Sequence, residues 1–278
     1  MTAVARSGTS AAPAAPAAVA EPVHRVEHIM GLPISLRIEG GGKGGGESGG
    51  EGEGSGSEAV VAADQVFAWL REVDARFSPF LPDSEVSRLD RGELAADRLS
   101  PDLVEVLDLC ERYRVESGGA FQVRLPGRGL DPCAMVKGWA VQRAADLLRA
   151  RGVTTFCLNA GGDVVSAGRP WRVGVRHPER ADRLCAVLEI TDGAVATSGR
   201  YERGDHILDG RSGRPATGLL SLTVVASSLT EADATATAAF AMGAEGVDWA
   251  AAREGCEVFA VDAERRVLRT PGFPVAAV

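Results

Sequence analysis

Three observations in the sequence predict an α+β fold. Apolar residues at helical spacing dominate the first half, short apolar runs of strand length crowd the second, and no segment repeats. The 278 residues, 45% of them hydrophobic, can build one large core or two small ones. Ile34-Ser-Leu-Arg-Ile38 alternates apolar and polar residues like a half-buried strand. Residues 40–57 hold 11 Gly, 3 Ser, 3 Glu and 1 Lys, which cannot bury enough apolar area to offset their ordering entropy. We therefore expect a flexible insert there. It decorates a strand-to-helix connection, because Val66, Trp69, Leu70, Val73 and Phe77 then recur at helical spacing.

Ser100-Pro101 supplies an N-cap and a first-turn proline for a second helix. Its apolar face is Leu103, Val106, Leu107, Cys110 and Tyr113, and Gly118-Gly119 ends it. A third helix is expected over 136–149, with Ala140, Ala144, Leu147 and Leu148 inward, Gly152 at its C-terminus and a strand over 153–158. Further strands are expected over 171–175, 184–190, 218–226 and 257–261, and an Ala-rich helix over 231–242.

Composition excludes several partners. A net charge of −8 provides no basic field for nucleic acid or for an anionic membrane surface. No uninterrupted apolar stretch reaches about 18 residues, so membrane insertion is not expected. The five cysteines are odd in number, scattered and without a C-x-x-C pair, which points to a reduced, cytoplasmic protein. The Ala/Pro-rich residues 1–22 lack the pattern of a secretory signal and read as a disordered tail.

Four clusters combine glycine, carboxylate, hydroxyl and cation where elements begin or end. In Asp131-Pro-Cys-Ala-Met-Val-Lys137-Gly138, a helix start offers free N–H groups to an anion and Lys137 adds charge. The plainer alternative is a helix capped by Asp131 with Lys137 in solvent. Asn159-Ala-Gly-Gly-Asp163 serves equally as a ligand-approaching loop or a strand-ending turn. Ala196-Thr-Ser-Gly-Arg-Tyr201, with His206-Ile-Leu-Asp209 and Arg211 to Pro215, gathers hydroxyls, carboxylate and arginines around a histidine. In Glu231-Ala-Asp-Ala-Thr-Ala-Thr237, Asp233 and Thr237 share a helix face and suit a hard cation such as Mg2+, although small polar residues in such a helix also simply allow close packing.

In order along the chain, Met30-Gly31, Phe77-Ser-Pro-Phe-Leu-Pro-Asp-Ser84-Glu85, Gly119-Ala-Phe121 and the four clusters closely resemble the ApbE family, the FAD:protein FMN transferases. The resemblance implies a T-fold-like single catalytic domain over 23–278. It implies Mg2+-dependent transfer of FMN from FAD to a Thr or Ser hydroxyl of an acceptor protein with an FMN-binding domain, releasing AMP. It further implies that Asp131 and Lys137 contact FAD, and that the Ala134 carbonyl, Asp233 and Thr237 hold Mg2+. Met30, Phe80, Ala120, Phe121 and Gln122 would line the flavin or adenine pocket, with His206 and Ile207 over the nucleotide. His206 is the expected proton acceptor, and Asp233 the carboxylate on which turnover depends. Two departures from the family pattern stand out. Gln122 replaces the usual Asp, with only residues 123–130 before Asp131, and Ala236 stands where some members place a further acidic ligand. Hydrolysis of FAD to FMN and AMP, or FAD binding without turnover, remain the alternatives.

Overall fold

The computed structural model describes residues 21–39, 54–125, 127–200, 204 and 206–277; all but the last two residues of the expected tail over 1–22, and residues 40–53 of the expected insert, lie outside them. Strands β1 (Val23–Ile29) and β2 (Leu32–Ile38) pair first. Helices α1 (Gly54–Phe77), α2 (Glu85–Asp90) and α3 (Pro101–Glu116) follow, and a two-residue hairpin, β3 (Arg124–Leu125) with β4 (Gly129–Leu130), leads into α4 (Cys133–Ala150). Strands β5 (Phe156–Ala160), β6 (Asp163–Ala167), β7 (Trp171–Arg176), β8 (Leu184–Ile190) and β9 (Gly193–Gly199) come next. The short ribbon of β10 (Leu208–Asp209) and β11 (Arg214–Pro215) precedes β12 (Leu219–Ala226). Helices α5 (Leu229–Met242) and α6 (Ala244–Ala251) and strands β13 (Glu257–Asp262) and β14 (Val267–Arg269) close the described chain. None of the described helices is long and apolar enough to cross a membrane.

The α+β architecture is built on one eight-stranded sheet in the order β1-β2-β5-β6-β9-β12-β13-β14, with every neighbouring pair antiparallel. Its larger apolar face carries α1, α4 and α5, and α3 packs behind them. On the opposite face, Val164 of β6, Val195 of β9 and Phe259 and Val261 of β13 meet the β7–β8 hairpin through Val173, Val175, Leu188 and Ile190. The central strands are therefore covered on both sides. All five residues of β6 are buried and six of seven in β9, so neither shows the alternation of a half-exposed strand, and neither was anticipated from sequence.

Helix α5 is buried almost all round, Asp233 and Thr235 included, so it is enclosed by protein rather than lying at the surface. It sits between the sheet and α4, and its alanines let both neighbours approach. Helix α3 begins as its sequence dictates, with the Ser100 hydroxyl accepting from the Leu103 N–H at 3.3 Å and Pro101 in the first turn.

Several boundaries differ from expectation. Helix α1 starts at Gly54, so the last four residues of the Gly-rich stretch join its first turn. The expected strand over 153–158 is displaced to β5. Gly152 takes φ +76° and the Val153 N–H returns to the Leu148 carbonyl at 3.0 Å, which spends the next residues on ending α4. Helix α4 starts three residues before the expected 136, and Leu147, expected to face inward, is 37% exposed. Trp139 fills the inner face instead, 1% exposed, with its ring 5.5 Å from Trp69 and 5.7 Å from Phe77 and its Nε1 donating to Glu105 at 3.1 Å.

This packing separates two substitutions on one helix. Trp139→Ala should cost roughly 3–5 kcal/mol of stability through lost apolar burial and the cavity left behind. Leu147→Ala should cost at most about 1 kcal/mol, as a mainly surface change. Urea denaturation of the two variants measures both, and equal costs would mean that the helix is rotated from the orientation described.

Candidate active site

The sheet's turns and the starts of the helices converge on a cavity of about 840 Å3. That volume lies within the range of sites that enclose drug-sized ligands. The site residues that the family resemblance implied all line this one cavity: Met30, Phe80, Ala120, Phe121, Gln122, Asp131, Ala134, Lys137, His206, Ile207, Asp233 and Thr237.

Met30 and Gly31 form the two-residue turn between β1 and β2, with φ of +55° and +70°. A methionine in the left-handed region is uncommon, and here the Met30 N–H donates to Asp74 Oδ2 at 3.3 Å. Phe80, in the loop between α1 and α2, is 83% exposed although it lines the cavity, so its ring stands at the mouth. Ala120 and Phe121 are buried in the opposite wall, with the Phe121 ring 5.8 Å from that of Tyr113. The Ala120 carbonyl accepts from the Gly210 N–H at 2.9 Å, which ties this wall to the turn after β10.

At the start of α4 the N-cap position is occupied by Pro132, not by Asp131 as the simple capping alternative supposed. Asp131 instead accepts from the Cys133 N–H at 3.0 Å, an Asx turn that brings the chain into the helix. Lys137 is not a solvated surface cation either. Its Nζ contacts Asp163 Oδ2 and lies 3.2 Å from Asp233 Oδ1, with the two carboxylates only 3% and 4% exposed. Asp163 also accepts from the Thr197 N–H at 3.0 Å, which joins β6 to β9 beneath the lysine.

Burial alone would lower the affinity of Lys137 for its proton, but the charges of Asp163 and Asp233 outweigh it and hold the ammonium well above its ordinary range. Asp233 shifts upward. Burial is the largest cause and the charge of Asp163 adds to it, while Lys137 pulls the other way. Its Oδ2 is buried and accepts no hydrogen bond from the described residues. One turn further along α5, the Thr237 hydroxyl lies 3.2 Å from that of Ser198 on β9. The cavity thus gathers the Asp233 carboxylate and the Thr237 and Ser198 hydroxyls, with Ala134 on its lining. Among the described residues there is no group of three or more His, Cys, Asp or Glu side chains placed to hold a metal.

His206 stands exposed on the wall, its Nδ1 3.1 Å from the Gly204 carbonyl. A nitrogen facing a carbonyl carries the proton in the neutral ring, which leaves Nε2 as the acceptor.

Sequence reasoning did not select Asp163, Ser198 or Arg128 as site residues. The segments holding Asp163 and Ser198 stood out, but nothing local pairs Asp163 with a lysine 26 positions earlier. Arg128, in the β3–β4 turn, lines the cavity without a carboxylate partner among the described residues.

The model of the ApbE family matches residues 30–126 and 122–260. The FAD:protein FMN transferase of Escherichia coli (strain K12) is 30% identical over 165 residues, 54% of this chain and 47% of that protein. The protein of the same name from Rhodobacter capsulatus is 38% identical over 136 residues, 45% of this chain and 26% of that protein. This chain therefore spans about half, or less, of the length of the curated relatives it matches. Among solved structures, the flavin transferase ApbE from Vibrio cholerae superposes with a TM-score of 0.74 at 22% identity, covering 91% of this chain and 98% of that one. The apo form of Pseudomonas stutzeri flavinyl transferase ApbE gives 0.75 at 23% identity, covering 92% and 98%. At these identities the structures speak to the fold, which is shared over nearly the whole length. With most of its residues matched by one family model, the chain belongs to the ApbE family.

Proposed function

We propose that this chain is an FAD:protein FMN transferase acting on a Thr or Ser hydroxyl of an acceptor protein that carries an FMN-binding domain. The observation that carries the reading is the floor of the cavity, where a buried carboxylate with an unpartnered oxygen, Asp233 Oδ2, shares a helix face with the Thr237 hydroxyl. The name borne by the sequence relatives supports it. In the reaction, the acceptor oxygen bonds to the phosphorus of the FMN half, the bond from that phosphorus to the bridging oxygen breaks, and AMP leaves. The hydroxyl proton passes to His206 Nε2, whose exposed position suits an acceptor that arrives from solvent.

The donor set fits Mg2+, a hard cation that takes oxygen ligands and keeps several waters. The Ala134 carbonyl, Asp233 and Thr237 would hold it. When bound, Mg2+ neutralises charge on the diphosphate and on the departing phosphate. Asp131 and Lys137 would flank the nucleotide at the start of α4, where the positive end of the helix dipole favours an anion. Phe80, Met30, Ile207 and the wall of Ala120, Phe121 and Gln122 offer apolar surface to the rings. Arg128 has no carboxylate partner among the described residues and would reach the diphosphate. Residues 23–278 would act as one catalytic unit, and five scattered cysteines with no C-x-x-C pair suit a reducing cytoplasm.

Incubation with FAD, Mg2+ and an acceptor domain should release AMP and leave covalent flavin fluorescence on a denaturing gel. AMP release without labelled acceptor would indicate the hydrolase, and FAD binding with neither product a carrier. Asp233→Ala should lower AMP release at least about 100-fold while the far-UV circular dichroism stays that of the folded protein. Wild-type turnover in that variant would reject the assignment of Asp233. Arg128→Gln should weaken FAD binding about tenfold and flatten its salt dependence, as isothermal titration at two salt concentrations would read. Superimposable titrations would remove Arg128 from the site.

A further inference from the structure

We infer that Lys137 sets the divalent-cation affinity of the site, acting as a built-in positive charge that holds metal binding weak. The inference rests on the reading in which Asp233 and Thr237 hold the metal. Lys137 occupies one oxygen of Asp233, Oδ1, and leaves the buried Oδ2 without a partner among the described residues. Its other contact, Asp163, is nearly inaccessible and is fixed by the Thr197 N–H. The ammonium is therefore clamped beside the oxygen that a cation would use.

The sign of the effect follows from counting charge. Two aspartates and one ammonium sum to −1, so a divalent cation leaves the buried cluster at +1. Without the ammonium the same two carboxylates sum to −2, and a divalent cation neutralises them. Net charge in a buried cluster is unfavourable, so removal of the cation should tighten metal binding rather than weaken it. A lysine with a purely structural role predicts the reverse, because losing the clamp would disorder Asp233. Ala236 adds no carboxylate beside Lys137, and the other acidic residue of α5, Glu231, pairs with Arg253.

The test measures Mn2+ alone, in the absence of FAD, by isothermal titration and by the loss of the free-ion paramagnetic resonance signal. Lys137→Met should bind Mn2+ at least about tenfold more tightly than the wild type, and Asp163→Asn at least about tenfold more weakly. The double variant Lys137→Met, Asp163→Asn restores a cluster charge of −1 and should return to within about threefold of wild type. Unchanged or weaker binding in Lys137→Met overturns the inference. Should Lys137→Met not fold, Asp163→Asn decides: a tenfold fall supports the inference and an unchanged affinity overturns it. Asp233→Ala separates this from the reading beneath it. If that variant binds Mn2+ like the wild type, the metal assignment itself fails. If it loses binding while Lys137→Met is unaltered, only the role given to Lys137 fails.

Discussion

Helices α4 and α5 pack closely where Gly138 faces Leu229 and Asp233, and the site depends on that contact. A Cβ on Gly138 would lie 2.8 Å from both the Asp233 Cβ and the Leu229 carbonyl, so no other residue fits without moving one helix. The approach draws Lys137 and Ala134 of α4 beside Asp233 and Thr237 of α5, residues about 100 positions apart in the chain. The alanines of α5 serve the same end, since larger side chains would push the helix from both the sheet and α4.

A buried charge cluster in that contact is a thermodynamic burden that hydrogen bonding and pairing only partly relieve. Asp163 is held by the Lys137 ion pair on one oxygen and by the Thr197 N–H on the other, whereas Asp233 Oδ2 has neither an ion pair nor a hydrogen bond among the described residues. A fold selected for stability alone would fill such a position with an apolar residue. An oxygen left unsatisfied at the floor of a large cavity is better explained by a ligand that completes it.

The rest of the architecture holds these groups in place. The hairpin of β7 and β8 closes the second face of the sheet, so that β6 and β9, which carry Asp163, Thr197 and Ser198, are clamped on both sides. Behind α5, the Tyr113 hydroxyl lies 3.1 Å from that of Thr235, and Arg253 stacks between Tyr113 and Trp249 with ring centroids 4.9 Å away on each side. The mouth is less constrained, with Phe80 and His206 both exposed there.

Local sequence determined those elements whose signals are complete within a few residues. The Ser100-Pro101 start of α3, the bounds of β8 and the shared face of Asp233 and Thr237 need no knowledge of the remainder of the chain. Ordered motifs, read as a family resemblance, also named residues that all line one cavity. Strands β6 and β9 were illegible because burial on both faces erases alternation, and Leu147 because helical spacing alone cannot rank two adjacent apolar residues around the axis. The pairing of Lys137 with Asp163 and Asp233, and the place of Arg128 on the cavity wall, were decided only by tertiary structure. Charge partners separated by 26 and 96 positions leave no periodicity in a sequence, and only the packing of α4 and α5 against the sheet brings them within reach of one another.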